Sequence, residues 1–184
     1  WTGSQSLWHA WGGLAPAALA AASHWTDDSP DAAVGDAGVF TPQLMTSGGP
    51  YNAWSPVPGE AQIAYGVHGR VESLLRVADA TGGQGLRELA ALAAGWFFGA
   101  NPAGAPAYDP STGVTVDGIE PDGRLNRNSG AESTIHALLT MLLLDAHPDL
   151  ARPATRLTAA AEARGMLWLP AEEAEVGGGA AVVT

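Results

Sequence analysis

The sequence predicts an all-α fold made of antiparallel helical hairpins. Five segments repeat apolar residues every three or four positions, no segment before the tail alternates as a strand does, and long connections alternate with short ones. Helices joined by short loops pack antiparallel, so alternate connections lie at the same end of the array. The two long connections, about 25–58 and 99–130, should therefore share one face, together with the N-termini of helices two and four.

The first three predicted helices span about residues 4–24, 59–80 and 85–98, and each carries one apolar stripe. Polar residues lie off the stripe of the second helix, which makes it amphipathic. The stripes are Leu7, Trp11, Leu14, Ala18 and Ala22; Ile63, Val67, Val71, Leu74 and Ala78; and Leu86, Leu89, Leu92 and Trp96.

The fourth predicted helix, about 131–146, has almost no polar face. Helices two and four should therefore lie inside the array, with Ile135, Leu138 and Leu142 almost fully buried. The fifth should begin at Pro153, a residue suited to a first turn, and end at Gly165, a residue typical of a helix C-terminus.

The composition limits the classes of partner. The chain of 184 residues has 8 basic and 19 acidic side chains, a net charge of −11, and no lysine. Nucleic acid and anionic membranes are therefore disfavoured as partners, and a lysine Schiff base is excluded. No apolar run is long enough to span a membrane.

The chain reads as part of a longer polypeptide, because it starts at Trp1 and enters a helical pattern almost at once. Residues 1–169 are assigned to the helical domain. Residues 170–184 are assigned to a short β-prone or disordered tail, either an acidic linker or the start of a β-sandwich carbohydrate-binding module. The absence of cysteine leaves the compartment open, with a secreted bacterial protein slightly favoured over a cytoplasmic one.

The shared face is where a site is expected, because carboxylates, amides and a phenol concentrate between residues 101 and 132. Such groups bind polyols, and paired carboxylates can act as acid and base at an anomeric carbon. The alternative is a solvated loop held by its own turns. The candidate substrate-binding residues are Tyr51, Asn52, Trp54, Asn101, Tyr108, Asp109, Arg127 and Asn128.

Three carboxylates are the candidate catalytic residues: Glu132, Asp117 and Glu60. Glu132 has a strong structural alternative, since Ser129 to Glu132 has the spacing of a capping box. Glu60 has the alternative of stabilising a helix dipole. Trp54, in a proline-stiffened loop, is either a stacking platform or a plug, and it should lie within roughly 10 to 15 Å of Asp117.

No metal or other cofactor is expected to be required. The five histidines show no zinc motif, and His136, one turn after Glu132, either lines the same pocket or is a hydrogen-bonded core residue. Calcium remains open at four oxygen ligands that match no EF-hand spacing: Asp109, Asp117, Glu120 and Asp122.

The segments around the proposed site are similar to known sequences. They are Gly95-Trp96-Phe97-Phe98-Gly99-Ala100-Asn101-Pro102-Ala103-Gly104, Tyr108-Asp109-Pro110, Asp117-Gly118, and Asn126-Arg127-Asn128-Ser129-Gly130-Ala131-Glu132-Ser133-Thr134. Over about residues 51–150 the chain resembles the C-terminal part of the (α/α)6 toroid proteins of the six-hairpin glycosidase superfamily. Its layout is also similar to family 9 glycoside hydrolases.

The resemblance implies part of an (α/α)6 toroid, a carbohydrate substrate, and contact with the remainder of the same polypeptide. It matches Gly99 to Pro102 with the Gly-x-Asn-Pro loop of family 9 and Glu132 with the general acid of that family. The chain lacks the paired-histidine segment of family 9, and the nucleophile-activating aspartates would lie upstream of Trp1. A glycoside hydrolase is thus expected, with a non-catalytic carbohydrate-binding or scaffolding toroid, and a toroid polysaccharide lyase or isoprenoid cyclase, as alternatives.

Overall fold

The computed structural model describes residues 14–25, 31, 34, 61–120 and 122–159. The chain is mostly helical, which confirms the predicted all-α class. Three two-residue strands are also present, so the prediction of no strand before the tail was wrong. In the described part of the chain, no helix is long and apolar enough to cross a membrane.

Helices α1 and α2 pack side by side through small residues. Helix α1 is Ala15–Ala22 and α2 is Ala64–Thr81. The predicted first helix began earlier, but residues 4–13 lie outside the described ranges. The second starts later than predicted, because residues 62–63 form a strand; it ends at Gly82, whose φ of +70° suits glycine. Helix α2 is buried on most sides and contacts α1, α3 and α4.

Helix α3 follows α2 after a short turn and forms an antiparallel hairpin with it. It is Gln84–Ala94 and continues as a 3-10 helix, Gly95–Phe98, so the predicted helix over 85–98 is confirmed with a tightened last turn. The hairpin is tied by an ion pair between Arg87 and Asp79. Trp96 and Phe97 place two large rings in the core at this turn.

Helix α4, Ala131–Ala146, has the predicted bounds. Helix α5 is Pro148–Ala154, so the prediction that it begins at Pro153 was wrong. Pro148 supplies the first-turn proline, because the chain turns into α5 directly after His147. The predicted end at Gly165 lies outside the described residues.

The burial predicted for α4 was also wrong. Ile135 is 55% exposed, Leu138 40% and Leu142 63%. The buried face of α4 instead carries Ser133, Ala137, Thr140 and Leu144, and it is this face that packs against α2 and α5. Small side chains allow the two helix axes to approach closely, and the larger leucine and isoleucine side chains lie on the other side.

The three strands form a small antiparallel sheet beside the starts of α2 and α4. They are β1 (Gln62–Ile63), β2 (Gly118–Ile119) and β3 (Leu125–Asn126), in the order β1-β2-β3. Gly118 faces β1 so closely that a Cβ atom there would lie 2.1 Å from the carbonyl oxygen of Gln62. Only glycine fits this position without moving a strand.

Candidate functional site

Asp117 joins the N-termini of α2 and α4. Its backbone carbonyl accepts a hydrogen bond from the Ala64 amide at 3.2 Å. Its carboxylate oxygen Oδ1 accepts bonds of 2.7 Å from the Gly130 amide and from the Ser133 hydroxyl. We call Asp117, Ala64, Gly118, Gly130 and Ser133 the Asp117 junction. The two helices therefore start at one place, which confirms that their N-termini share a face.

The capping box predicted at the start of α4 is not formed. The N-cap residue is Gly130, which has no side chain. Its amide donates a hydrogen bond to the carboxylate of Asp117, thirteen residues upstream. The Ser129 hydroxyl instead lies 3.1 Å from the hydroxyl of Thr134. Asp117 thus supplies the negative charge that a helix N-terminus favours.

Glu132 takes no part in these hydrogen bonds. It lies in the first turn of α4 and is exposed. Its carboxylate makes no hydrogen bond or ion pair with any residue that the structure describes. The structural alternative that the sequence offered for Glu132 is therefore not realised in this fold.

A row of polar side chains, most of them titratable, runs along the contact between α2 and α4, starting at Glu132. The Tyr65 and His136 ring centroids are 6.0 Å apart, and those of His68 and His136 are 5.0 Å apart. Both helices start at Asp117, and further along His68 of α2 lies beside Thr140 of α4, so α2 and α4 pack parallel. We call the row the α2–α4 seam; its members are Tyr65, His68 and Glu72 from α2, and Glu132, His136 and Thr140 from α4.

His68 is the buried centre of the seam, with 2% exposure. Its Nδ1 atom lies 3.0 Å from the Thr140 hydroxyl, and its Nε2 atom lies 3.1 Å from the Glu72 carboxylate. Burial lowers the pKa of His68 from 6.5 to about 4, although the neighbouring Glu72 charge acts in the opposite direction. His68 is therefore neutral at pH 7, with Nε2 bonded to Glu72 and Nδ1 beside the Thr140 hydroxyl, which donates to the His136 carbonyl at 3.0 Å.

Tyr65 lies at the outer end of the seam. Burial and, second, the negative charge of Glu132 raise the pKa of the Tyr65 phenol above its ordinary value of 10. The phenol is therefore neutral over the physiological pH range. Sequence reasoning missed Tyr65, His68 and Glu72, although their spacing of three and four places three polar groups on one side of an apolar helix.

The long loop before α4 is held by its own amide and carboxylate groups. Asn101 is 2% exposed; its Nδ2 donates to the carbonyls of Trp96 and Ala105, and its Oδ1 accepts from the Ala103 amide. Asn101 therefore supports the loop, and its amide is already fully bonded. Tyr108 is half-buried and pairs with Thr115 as an isolated bridge.

Two exposed aspartates of this loop are occupied by their own turns. Hydrogen bonds from Ser111 and Thr112 lower the pKa of Asp109. A hydrogen bond from the Arg124 side chain, 2.6 Å long, lowers the pKa of Asp122. These are the turn-held carboxylates that the alternative interpretation of the loop expects.

Arg127 and Asn128 are exposed and lie between β3 and the start of α4, next to the Asp117 junction. The Asn128 carbonyl accepts a bond of 2.8 Å from the Asp117 amide, so its backbone is part of the junction while its side chain is exposed. The remaining predicted site residues, Tyr51, Asn52, Trp54 and Glu60, lie outside the described residues. So does the predicted distance between Trp54 and Asp117.

Among the described residues, no group of three or more histidine, aspartate or glutamate side chains is arranged to hold a metal ion. Of the four candidate calcium ligands, Asp109 and Asp122 are bonded within separate turns, and one Asp117 oxygen is shared by the junction. These contacts favour structural roles for the three aspartates.

A cleft lies between α1 and α2. This cleft of about 490 Å³ has alanine methyl groups from α1 on one wall and charged residues from α2 on the other, with Glu72 contributing to it. The charged groups are already paired: Glu72 with His68 and Arg76, and Asp79 with Arg87. The Glu132 carboxylate, at the opposite end of the seam, is exposed.

A comparison with protein-family models finds no match to this chain, and a comparison with curated protein sequences finds no match either. The resemblance to six-hairpin glycosidases therefore stays a prediction. The geometry of the α2–α4 seam and the Asp117 junction has to support any functional assignment.

Proposed function

We propose that the chain is a glycoside hydrolase-like, carbohydrate-active domain that binds an oligosaccharide or polysaccharide where α2 and α4 start. Glu132 is the general acid in this proposal. The observation that carries it is that Glu132 is exposed in the first turn of α4, while the Asp117 carboxylate bonds the Gly130 amide and the Ser133 hydroxyl. A carboxylate at the meeting point of two helix starts, with no structural partner, is available for chemistry.

The helix arrangement supports placing this site in part of an (α/α)6 toroid. Helices α2 and α4 start together at Asp117 and contact again at His68 and Thr140, so they pack parallel, and α3 returns antiparallel to α2 between them in sequence. This order is what neighbouring hairpins of a helical toroid require, because the helices of one ring run in the same direction. The loop of residues 99–130 then lies at the N-terminal ends of these helices, as a substrate-binding loop would.

The chemistry assigned to the residues follows from their contacts. Glu132 would donate a proton to the glycosidic oxygen, and the covering sugar would exclude water from its carboxyl group. Asp117 holds the start of α4 with Oδ1, so we assign it a positioning role. Arg127 and Asn128, exposed beside the junction, supply donors for sugar hydroxyls. A second reacting carboxylate is required, and Glu60 remains the candidate for it.

The experiment is a thermal-shift screen of polysaccharides and oligosaccharides, followed by a reducing-sugar assay on every binder. Glu132→Gln should bind the same sugar and lose on the order of 100-fold in turnover. Glu88→Gln is the matched control, because Glu88 is an exposed glutamate of α3 that accepts a hydrogen bond from Gln84. Full turnover by Glu132→Gln would remove Glu132 as the acid, and the absence of any sugar binding would remove the proposal.

A non-catalytic carbohydrate-binding domain is the second candidate, and the position of Glu132 favours it in one respect. The positive end of the α4 dipole stabilises the carboxylate form, whereas a general acid has to carry a proton. Binding of a sugar by the wild type with no turnover would select this candidate. Release of an unsaturated sugar would select a polysaccharide lyase, and binding of isoprenoids in place of sugars would select a cyclase.

A further inference from the structure

We propose that the cleft between α1 and α2 is a second sugar-binding site, which takes a neutral oligosaccharide apart from Glu132. The inference extends the proposed function and rests on it in that the ligand is again a sugar. The charged wall of the cleft begins at Glu72, eight residues after the start of α2 at Ala64, so about 12 Å of helix separates the cleft from the helix start.

The cleft has the size and the two unlike walls that a sugar requires. Its volume of about 490 Å³ lies within the range of roughly 300 to 1,000 Å³ that is typical of small-ligand sites. The α2 wall presents planar carboxylate and guanidinium groups, which match pairs of neighbouring hydroxyls. The α1 wall is an apolar stripe at helical spacing, suited to the C–H face of a pyranose ring; its members are Leu14, Ala17, Ala18 and Ala21.

The order of charges on α2 favours a neutral ligand. Glu72, Arg76 and Asp79 follow one another at spacings of four and three, so negative, positive and negative groups alternate along one face. An anionic ligand meets the two carboxylates beside the guanidinium, and a cationic ligand meets the guanidinium between the carboxylates. Hydroxyl groups both donate and accept hydrogen bonds, so a neutral polyol can use all three side chains without bringing like charges together.

The charged wall is fixed before a ligand binds. Glu72 lies 3.1 Å from His68 and 3.5 Å from Arg76, and Asp79 pairs with Arg87 of α3. The Arg76 side chain is half-exposed, and a guanidinium carries five N–H donors, so its contact with Glu72 leaves donors for a ligand. Groups that are already held in place lose little entropy when a sugar binds to them.

Two histidines report which site a sugar occupies. His24 lines the cleft, whereas His136 lies one turn after Glu132 on α4. Their ring Cε1–H resonances are identified by NMR with His24→Gln and His136→Gln, and are then followed at fixed pH while cellotriose, maltotriose or xylotriose is added. At least one of these neutral sugars should move the His24 resonance in a saturable way. No saturable movement with any of the three would overturn the proposal.

Two variants test the two walls of the cleft. Ala18→Phe fills the cleft from an exposed position of α1 and should raise the Kd read from His24 by about 10-fold or more. Ala15→Phe, exposed on the same helix and outside the lining, is its control. Unchanged affinity in Ala18→Phe, with circular dichroism showing the fold intact, would overturn the site.

The second variant is Arg76→Gln, which removes the guanidinium donors and should raise the same Kd about 10-fold. Its control is Arg152→Gln, at an exposed position of α5. Unchanged affinity in Arg76→Gln would overturn the role of the charged wall.

The charge of the ligand is tested with three sugars that share one ring. Glucose is neutral, glucuronate carries a negative charge and glucosamine a positive one. Glucose should move the His24 resonance at a lower concentration than either charged sugar, because it meets no like charge in the cleft. A tighter response to a charged sugar, or to the zwitterion glycylglycine, would overturn the assignment to a neutral ligand.

The two proposals fail separately. Turnover of a sugar that leaves His24 unmoved keeps the proposed function and overturns the inference. A saturable His24 response without turnover of any bound sugar keeps the cleft and removes Glu132 as the acid. Movement of both histidines supports both sites when Ala18→Phe abolishes the His24 response and keeps that of His136.

Discussion

Asp117 and Glu132 are carboxylates beside the same helix start, yet they are used differently. The Asp117 carboxylate accepts two hydrogen bonds of 2.7 Å, and its carbonyl bonds the start of α2. Glu132 is exposed and accepts none from the residues that the structure describes. The Asp117 carboxylate therefore bonds the N-cap amide of α4 from thirteen residues upstream, while the acid in the first turn itself is left exposed.

The Asp117 junction and the α2–α4 seam differ in the same way. The junction is built from backbone groups and small residues in close contact, so it tolerates little change. The outer end of the seam is built from larger titratable side chains, so its charges can change without breaking the helix contact. Substitutions should therefore destabilise the protein strongly at the junction and mildly at Glu132.

The largest effect is expected at Gly118. In Gly118→Ala the new methyl group would lie 2.1 Å from the Gln62 carbonyl oxygen, so β1 and β2 must separate. We expect a loss of about 3 kcal/mol or more in the free energy of unfolding, measured by chemical denaturation. Gly85→Ala is the control, because no atom lies within 4 Å of its added methyl group, and it should be neutral or stabilising.

Asp117 itself is the next test of the junction. Asp117→Ala removes the acceptor from the Gly130 amide and the Ser133 hydroxyl, so unfolding should become easier by about 1 to 3 kcal/mol. Ser129→Ala should stay within about 0.5 kcal/mol of the wild type, because Ser129 does not cap α4. A larger loss in Ser129→Ala than in Asp117→Ala would restore the capping box and break the comparison.

The start of α4 was only partly predictable from the sequence. The bounds of α4 followed from its apolar content, and the meeting of the α2 and α4 N-termini followed from loop lengths. The cap of α4 did not, because its acceptor lies thirteen residues upstream and a local spacing rule sees only Ser129 and Glu132. Folding brings Asp117 to Gly130 through the β2–β3 hairpin. The hydrophobic periodicity of the sequence does not predict this hairpin.

The predicted orientation of α4 was wrong for a related reason. Counting apolar residues favours burial of Ile135, Leu138 and Leu142, but Ser133 and Thr140 are the residues with distant polar partners, Asp117 and His68. Their hydrogen bonds offset the cost of burying hydroxyl groups, and their small size allows α2 to approach. The buried face of a nearly apolar helix was thus decided by its few polar residues.

The stability of the protein should depend on pH through His68, in the inner part of the seam. The pKa of His68 is lowered to about 4 in the folded protein, against 6.5 in the unfolded chain, so the unfolded state binds more protons as the pH falls. The contribution of neutral His68 to the free energy of unfolding is present above pH 6.5 and is lost progressively as the pH falls from 6.5 to 4. We expect a loss of about 2 kcal/mol between pH 7 and pH 5, measured by denaturation at each pH.

The groups that face His68 are Glu72 on α2 and His136 and Thr140 on α4. His68→Gln keeps an amide donor and removes the titrating ring, so the stability lost between pH 7 and pH 5 should shrink. His24→Gln, at an exposed position in the turn after α1, is the control and should keep the wild-type pH dependence. An unchanged pH dependence in His68→Gln would show that the seam does not sense acid through this residue.

The smallest effect on stability is expected at Glu132, and it decides whether the comparison holds. Glu132→Gln removes a negative charge from the first turn of α4, where the helix dipole favours one, and this interaction is worth about 0.3 to 1 kcal/mol at an exposed site. Because Asp117 already supplies both a charge and a cap, the loss should be near 0.5 kcal/mol or below, measured by chemical denaturation beside Asp117→Ala. A loss as large as that of Asp117→Ala would show that Glu132 supports the fold, and its exposure would then have no bearing on catalysis.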